Sequence, residues 1–348
     1  MSQKKNIVLF FTDDQRFDTI GALNNPAIRT PNIDELVCGG VSFTNAHIPG
    51  GTFGAVCMPS RAMLHTGKTL FRFDNHGSDL STSHTLLGEL LRRNGYRTFG
   101  TGKWHNGTGS YARSFTDGDE IFFGGMNDHW NVPAYHFDPS GTYDKTRKVV
   151  RNPFYSNKEF VEICDHVHPG VHSTDLFSGC ASRWLREYRE DNPFFMYLSF
   201  MAPHDPRSMP EEFLRMYNPD SIELPPNFMP QHPFTYGVEH QRDEQLAPTP
   251  RTPEETRRHI AEYYAMISHL DRAVGEVVRT LKQTGRFEET IIVFAGDNGL
   301  ALGQHGMMGK QSLYDHSVRV PLVVAGPGIA GNRVNDSFVY LLDVYPTL

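Results

Sequence analysis

Short, uninterrupted apolar runs punctuate this chain. Residues 6–12 read Asn-Ile-Val-Leu-Phe-Phe-Thr, a run of the kind that is buried on both faces in a parallel sheet, and it stops at Asp13-Asp14-Gln15. Similar runs at 193–200, 290–295 and 321–325 predict further strands, and 97–100 predicts a shorter one. Between them the apolar period changes to that of helices. The clearest helix starts at Thr252, where Thr252-Pro253-Glu254-Glu255 combines an N-cap, a first-turn proline and a capping-box glutamate. Ile260, Tyr264, Ile267, Leu270, Val274, Val277 and Leu281 then form one apolar stripe, read as core rather than as a partner surface, and Gly285 ends it. A second helix is expected over 84–93, stopping at Asn94-Gly95. Strands alternating with helices predict an α/β fold, a large, mostly parallel sheet wound on both faces, whose ligands bind beyond the carboxyl ends of the strands.

Proline density rises between residues 218 and 252, as in Leu224-Pro225-Pro226-Asn227, which predicts a long ordered excursion with little regular structure, able to shape a substrate pocket. No internal repeat or low-complexity tract is evident. At 348 residues the chain is long for one domain yet within the range of a single large α/β enzyme. Its 39% hydrophobic and 21% charged residues exclude disordered and fibrous classes. A net charge of −7 argues against a broad basic surface for nucleic acid or an anionic membrane, so an anionic substrate must be met by a local pocket. No stretch approaches the roughly 18 apolar residues of a spanning helix. Residues 1–5 lead into the first strand without a signal-like segment, so the expected compartment is cytoplasmic as the chain stands, and periplasmic or secreted if a signal was trimmed. Cys38, Cys57, Cys164 and Cys180 are too widely spaced for a zinc knuckle or a dense disulfide framework. Cys164, His166, His168 and His172 have the composition of a zinc cluster but lack a second ligand pair at fixed spacing, and are read as an exposed loop.

The densest chemistry lies in Cys57-Met58-Pro59-Ser60-Arg61-Ala62-Met63-Leu64-His65-Thr66-Gly67, after a glycine-rich approach, Pro49-Gly50-Gly51-Thr52-Phe53-Gly54. Pro59 suits a helix's first turn and Gly67 its end, which places Cys57 at a helix N-terminus, where free N–H groups favour a bound oxyanion. Taken alone, the cysteine reads more readily as a small buried residue before a short helix. Arg61, one turn on, shares its face. Asp13 and Asp14 follow the first strand, and Asp297-Asn298 follow the strand at 290–295. Separately these are ordinary cap and turn residues; together, as oxygen-only donors, they point to Ca²⁺ or Mg²⁺ rather than zinc. Lys103 and His105 in Thr101-Gly102-Lys103-Trp104-His105, His204 in Ala202-Pro203-His204-Asp205-Pro206, and Lys310 at the end of Gly303-Gln304-His305-Gly306-Met307-Met308-Gly309-Lys310 are each expected just past a strand.

The segment from Cys57 to Gly67 resembles the sulfatase family signature Cys-x-Pro-Ser-Arg-x-x-x-x-Thr-Gly at every fixed position. The resemblance continues in motif order through Arg319-Val320-Pro321 to Asp343-Val344-Tyr345-Pro346-Thr347, with Asp315 standing where members commonly carry glutamate. It implies an alkaline-phosphatase-like catalytic domain over 1–348, with the family's smaller C-terminal antiparallel-sheet domain largely truncated. It implies that a separate formylglycine-generating enzyme oxidises Cys57 to formylglycine. One hydroxyl of the hydrated aldehyde would attack sulfur and the other expel sulfate, whereas a plain serine would be left as a stable ester. By the same resemblance Asp13, Asp14, Asp297, Asn298 and the modified Cys57 bind the metal, with Ca²⁺ favoured. Lys103 and Lys310 bind sulfate oxygens, Arg61 orients the diol, His105 assists it, and His204 is the general acid.

The expected reaction is hydrolysis of a sulfate monoester on a sulfated carbohydrate. Gly124-Gly125-Met126-Asn127-Asp128-His129-Trp130 reads either as a specificity loop or as ordinary packing. Two other readings stay open: a phosphonate monoester or phosphodiester hydrolase with the same nucleophile, and a catalytically silent sulfoglycan-binding protein. No nucleic-acid or membrane partner is expected, and the oligomeric state is left open. The sequon Asn106-Gly107-Thr108 is read as accidental, because a glycan there would obstruct Lys103 and His105.

Overall fold

Val8 and Phe10 of the first apolar run pack into one hydrophobic cluster, and Ile7, Leu9 and Phe11 into another. This is the two-residue alternation of a strand covered on both sides. The protein is described here by a computed structural model covering residues 4–52, 54, 56–151 and 154–348; Phe53 of the glycine-rich approach and the first three residues lie outside that description. Eight strands form the main sheet: β1 Asn6–Thr12, β2 Gly40–Phe43, β3 Arg97–Lys103, β4 Asp117–Phe122, β5 Phe194–Ser199, β6 Thr290–Gly296, β7 Leu322–Ala325 and β8 Arg333–Asn335. Their order is β8-β2-β7-β6-β1-β5-β3-β4. β1 pairs in parallel with β5 and β6, and β3 with β4 and β5, whereas β7 runs antiparallel to β2 and β6.

Six helices position the site: α1 Pro31–Gly39, α2 Cys57–Thr66, α3 Leu87–Arg93, α4 Thr108–Ser114, α5 Ser173–Glu187 and α6 Pro253–Gln283. Val8 and Phe10 meet Ile33 of α1, Phe177 and Leu185 of α5, and Leu270 and Val274 of α6. On the other face Ile7, Leu9 and Phe11 meet Leu64 of α2, Leu87 and Leu91 of α3, and Tyr111 of α4. The sheet is therefore wound on both faces, as the strand and helix alternation predicts. The stripe read along α6 is core, and Thr252 caps that helix by accepting from the Glu255 N–H at 3.2 Å.

Some boundaries differ from the sequence reading. The helix expected from residue 84 begins at Leu87, because the Glu89 carboxylate accepts from the Leu86 N–H at 3.0 Å and closes the first turn there. The strand beginning at Arg97 runs on to Lys103, which is therefore its last residue. The proline-rich excursion contains two short 3-10 turns, Pro219–Ser221 and Arg242–Leu246, as its composition suggests. Among the described residues no helix is long and apolar enough to cross a membrane.

The helix α2 illustrates how the core and the site are one construction. All ten of its residues are buried, including Ser60, Arg61, His65 and Thr66. Burial of polar groups is tolerable only with partners. Thr66 donates to the Ala62 carbonyl at 2.8 Å, Ser60 donates to the Asp297 carbonyl at 2.6 Å, and Arg61 reaches the ends of three strands. Gly67 closes the helix with φ 63°, and a Cβ there would lie 2.8 Å from the Tyr345 ring, so both the backbone and the close approach require glycine.

Candidate active site

β1, β3, β5 and β6 lie side by side, and the chain leaves each of them beside a residue that carries chemistry. After β1 come Asp13 and Asp14, both buried. Asp14 has a left-handed backbone, φ 64°, held where its N–H donates to Asp297 Oδ1 at 3.0 Å and its carbonyl accepts from the Tyr263 hydroxyl at 2.5 Å. β3 delivers Lys103 and, two residues on, His105, also left-handed at φ 71°. β5 leads to His204, and β6 to Asp297 and Asn298, where the Asp297 N–H donates to the Thr12 carbonyl at 3.0 Å. Cys57 is the first residue of α2, as its spacing to Pro59 and Gly67 predicts.

Lys310 departs from the expected placement. It follows a long coil rather than a strand, and it returns to the centre because the Glu244 carboxylate accepts from the N–H groups of Met308 and Gly309 at 3.0 and 2.8 Å. Glu244 is anchored in turn by Arg251, 2.6 Å away. Tertiary anchoring of this kind leaves no local sequence signal.

The structure brings every sequence-predicted site residue together. Cys57 Sγ lies 3.4 Å from His105 Nδ1 and 3.7 Å from Lys103 Nζ. Lys103 pairs closely with Asp13 Oδ2, and Lys310 Nζ donates to both Asp14 oxygens at 2.7 and 2.9 Å. His204 Nδ1 donates to the Asp205 carbonyl at 2.8 Å, which leaves Nε2 directed to Asp14 Oδ2, 3.6 Å away. Arg61 donates to Asp297 Oδ2 at 2.9 Å, Ser199 Oγ at 2.7 Å and the Lys103 carbonyl at 3.0 Å. Its Nε and Nη1 are thus taken up in holding Asp297 and the ends of β3 and β5, while Nη2 is buried without a hydrogen-bond partner among the described residues, 3.7 Å from Asp13 Oδ1.

Electrostatics follow from this crowding. Burial pushes the Cys57 thiol up, and although Lys103 and Lys310 oppose it, Asp13 and Asp297 add to the rise. The encoded cysteine is a protonated, weak nucleophile. Burial, then the charges of Lys103 and Arg61, hold the His105 imidazole well below the ordinary histidine range. Burial would raise Asp13, but Lys103, His204, Arg61 and Lys310 outweigh it and hold its carboxyl below the usual carboxylate range. Burial followed by the Asp13 charge pushes Asp297 upward. The two carboxylates therefore compete for ionisation, a conflict that a bound cation would relieve.

The donors fit such a cation. Asp13, Asp14, Asp297 and Asn298 offer oxygen only, and Asp13 Oδ1 and Asn298 Oδ1 are buried without a hydrogen-bond partner among the described residues. An orphaned buried acceptor costs about 1–3 kcal/mol, which a hard divalent ion would offset. One ligand atom each of Asp13, Cys57 and Asp297 lie within 4.8 Å of one another, which brings residue 57 into the same cluster.

Cys57, His105, His204 and Lys310 floor a cleft of about 270 Å³ walled by Met126, Gln241, Arg242 and Gln311. A larger cleft of about 840 Å³ opens elsewhere, beside Arg16, Tyr264 and Tyr314, and none of the candidate catalytic or metal-binding residues lines it. The chemistry, not the volume, marks the site. At the rim Arg242 pairs with Asp205 at 2.5 and 3.0 Å, and Gln311 donates to Asp243 at 2.5 Å. Of the loop Gly124 to Trp130, Gly125 and Met126 reach the cleft, whereas Trp130 packs edge-on to His172 at 5.0 Å.

The sequence reading missed four supporting residues. Ser199 and Tyr263 fix Arg61 and Asp14, Glu244 places Lys310, and His129 Nε2 donates to the His204 carbonyl at 3.0 Å. Ser199, a hydroxyl at the end of an otherwise apolar strand, was the one with a visible signal. The histidine segment is an exposed loop only in part: residues 168–171 are exposed, Cys164 and His172 are buried, and His166 and His168 direct Nε2 to Glu120. Asn106 is buried and donates to the Met58 and Gly77 carbonyls at 2.9 and 2.6 Å, in keeping with an accidental sequon. Asp315 lies at the start of a short helix, pairing with Arg319 at 3.3 Å away from the centre.

The sulfatase family model matches residues 5–348. This chain belongs to the sulfatase family. It is 30% identical to mouse iduronate 2-sulfatase, over 93% of this chain and 59% of that protein. It is 29% identical to an ulvan-active sulfatase of Formosa agariphila, over 94% of this chain and 57% of that protein. The chain thus spans less than two thirds of either relative. In fold it is similar to the phosphonate monoester hydrolase of Agrobacterium radiobacter, with a TM-score of 0.73 at 22% identity, covering 99% of this chain and 73% of that one. The large, mostly parallel sheet with helices on both faces is that of the alkaline-phosphatase-like sulfatase fold.

Proposed function

We propose that this sulfatase-family chain is a sulfuric ester hydrolase acting on a sulfate monoester of a sulfated carbohydrate. The observation that carries the reading is the convergence on Cys57 of two lysines, two histidines and an oxygen-only donor set. When in place, formylglycine at position 57 supplies a hydroxyl nucleophile, and a hard divalent cation, calcium by preference, supplies positive charge for a sulfate oxygen. A separate formylglycine-generating enzyme would have to act on Cys57 before activity appears. The raised thiol supports this, because the encoded cysteine lacks the thiolate that would make it reactive.

The chain's own residues do the rest. Asp13, Asp14, Asp297 and Asn298 hold the cation, with Arg61 fixing Asp297 in place. Lys103 and Lys310 donate to sulfate oxygens as negative charge grows on them. His105, kept neutral by burial and by its cationic neighbours, accepts a proton from residue 57. His204, with Nδ1 tied to the Asp205 carbonyl and Nε2 toward the cleft, donates a proton to the departing alcohol oxygen. The polar rim of Gln241, Arg242 and Gln311 around Met126 suits the hydroxyls and apolar face of a sugar ring. The names of the iduronate and ulvan relatives support a carbohydrate substrate.

The test is relative turnover by verified formylglycine protein, supplied with calcium, on sulfate monoesters and phosphate or phosphonate esters with matched leaving groups. The reading requires a higher kcat/KM on the sulfate monoester, and higher still on a sulfated sugar. Preference for the phosphorus esters, or binding of sulfated sugar without turnover, would replace it.

A further inference from the structure

Glu120 occupies β4 with a left-handed backbone, φ 50°, which is rare for a residue with a side chain and strained within a strand. It is 4% exposed. Among the described residues its ion-pair partners are His166 Nε2, 2.8 Å from Oε2, and His168 Nε2, 3.0 Å from Oε1. Among the described residues neither lysine nor arginine pairs with it. A buried carboxylate facing only imidazoles is uncompensated whenever both rings are neutral, and burial makes that state costly.

The three ligand atoms lie within 4.8 Å of one another. The two oxygen-to-nitrogen separations, each to a different carboxylate oxygen, are hydrogen-bond distances a little shorter than the edge of about 3.3 Å that follows from tetrahedral bonds of roughly 2.0–2.1 Å, so a small outward shift of the rings would admit an ion. We propose that Glu120, His166 and His168 bind a divalent transition-metal ion of the zinc class, at a site separate from the catalytic centre. Two imidazoles and one carboxylate suit such an ion rather than calcium, which takes oxygen. The His168 side chain is 43% exposed, so the site opens to solvent and leaves room for a water as a further ligand. His136 stacks on His166 at 4.3 Å, and its Nδ1 is taken by Asp119 at 2.7 Å, so it steadies the ring rather than joining the set.

The ion has a definable structural role. Isolated bridges already join Ile121 to Tyr135 and Ala134 to His166, which ties residues 134–135 to the edge strand β4 and residue 166 to them. The stretch of chain that starts after β4 also carries Gly125 and Met126 to the cleft wall and His129 beneath His204. A metal clip from β4 to residues 166 and 168 would fasten the far end of that stretch to the sheet.

The experiment is a titration of the chelator-treated full chain with Zn²⁺, and separately with Co²⁺, in excess Ca²⁺ to occupy the oxygen-donor centre. The expected result is one saturable equivalent, a raised thermal midpoint, and visible cobalt bands of nitrogen and oxygen ligation. His168→Ala, a half-exposed change that the fold should tolerate, should weaken binding by at least the roughly 10- to 100-fold that loss of even an outer-shell partner costs. His166→Ala with His168→Ala should abolish it. No saturable binding by the parent protein would overturn the proposal. So would undiminished binding by His168→Ala of native circular dichroism, or a cobalt spectrum dominated by thiolate charge transfer from Cys57. The readout is metal binding, so it stands apart from the sulfatase reading.

Discussion

The ends of the central strands and the edge of the sheet both gather carboxylates and histidines, yet they balance charge by different means. At the centre the buried carboxylates Asp13, Asp14 and Asp297 face the permanent cations Lys103, Lys310 and Arg61. At the edge Glu120 faces two imidazoles. Fixed charges hold the central groups in place before any ligand arrives, which is what preorganised catalysis needs. A cluster balanced only by titratable rings remains dependent on a proton or an ion. On the two proposals made above, the same residue types would serve a reaction in one place and an optional fastening in the other.

The largest effect should appear at the centre, in catalysis. His204→Asn is expected to lower kcat on an alkyl or sugar sulfate by about 10²- to 10⁴-fold, with little loss on an aryl sulfate whose leaving group needs no proton. Equal losses on both substrates would remove the general-acid role. In stability, Arg61→Met leaves Asp297 buried without its partner and should cost about 3–5 kcal/mol in urea unfolding. A loss below about 1 kcal/mol would mean that the central charges are not structurally coupled as described.

A buried carboxyl group outside both regions sharpens the contrast. Asp271 accepts from the N–H groups of Ile33 and Asn32 at 2.7 and 3.2 Å, and among the described residues it has no ion-pair partner. Burial raises it from 3.8 to about 6. The folded state therefore holds the proton more tightly than the unfolded chain. That contribution is complete below pH 3.8 and is lost as pH rises through about 6. The loss amounts to roughly 3 kcal/mol, and Asp271→Asn should flatten this part of the pH dependence. An unchanged slope in that variant would assign it to other groups. The smallest effect belongs to the edge: in metal-free protein His168→Ala should lower stability by about 0.5–1.5 kcal/mol, the net worth of its one hydrogen bond to Glu120.

The difference between the two regions also explains what could be read from the sequence. The central residues sit in short motifs, each following an apolar run, so Asp13, Lys103, His204 and Asp297 announce themselves by position. The first strand and the long helix were legible to the residue because both faces of one and a whole stripe of the other are core. Glu120 carries no such mark. It meets His166 and His168 only because β4 forms the sheet edge and the chain returns there more than 40 residues later. Lys310 was assigned by its motif, but its path was misjudged, because what holds it is Glu244 in the proline-rich excursion. Arg61 was found, while its partners Ser199 and Asp297 could be joined to it only through sheet order.

The central claim is that Cys57 is the precursor of the nucleophile. The most direct measurement is peptide mass spectrometry across Cys57 on protein co-expressed with a formylglycine-generating enzyme, paired with sulfate release from an aryl sulfate in calcium. The account predicts conversion of the thiol to the aldehyde, sulfate release in proportion to it, and loss of both in Cys57→Ala. Sulfate release by protein whose Cys57 is wholly unmodified, or complete conversion with no turnover of any sulfate ester, would contradict it.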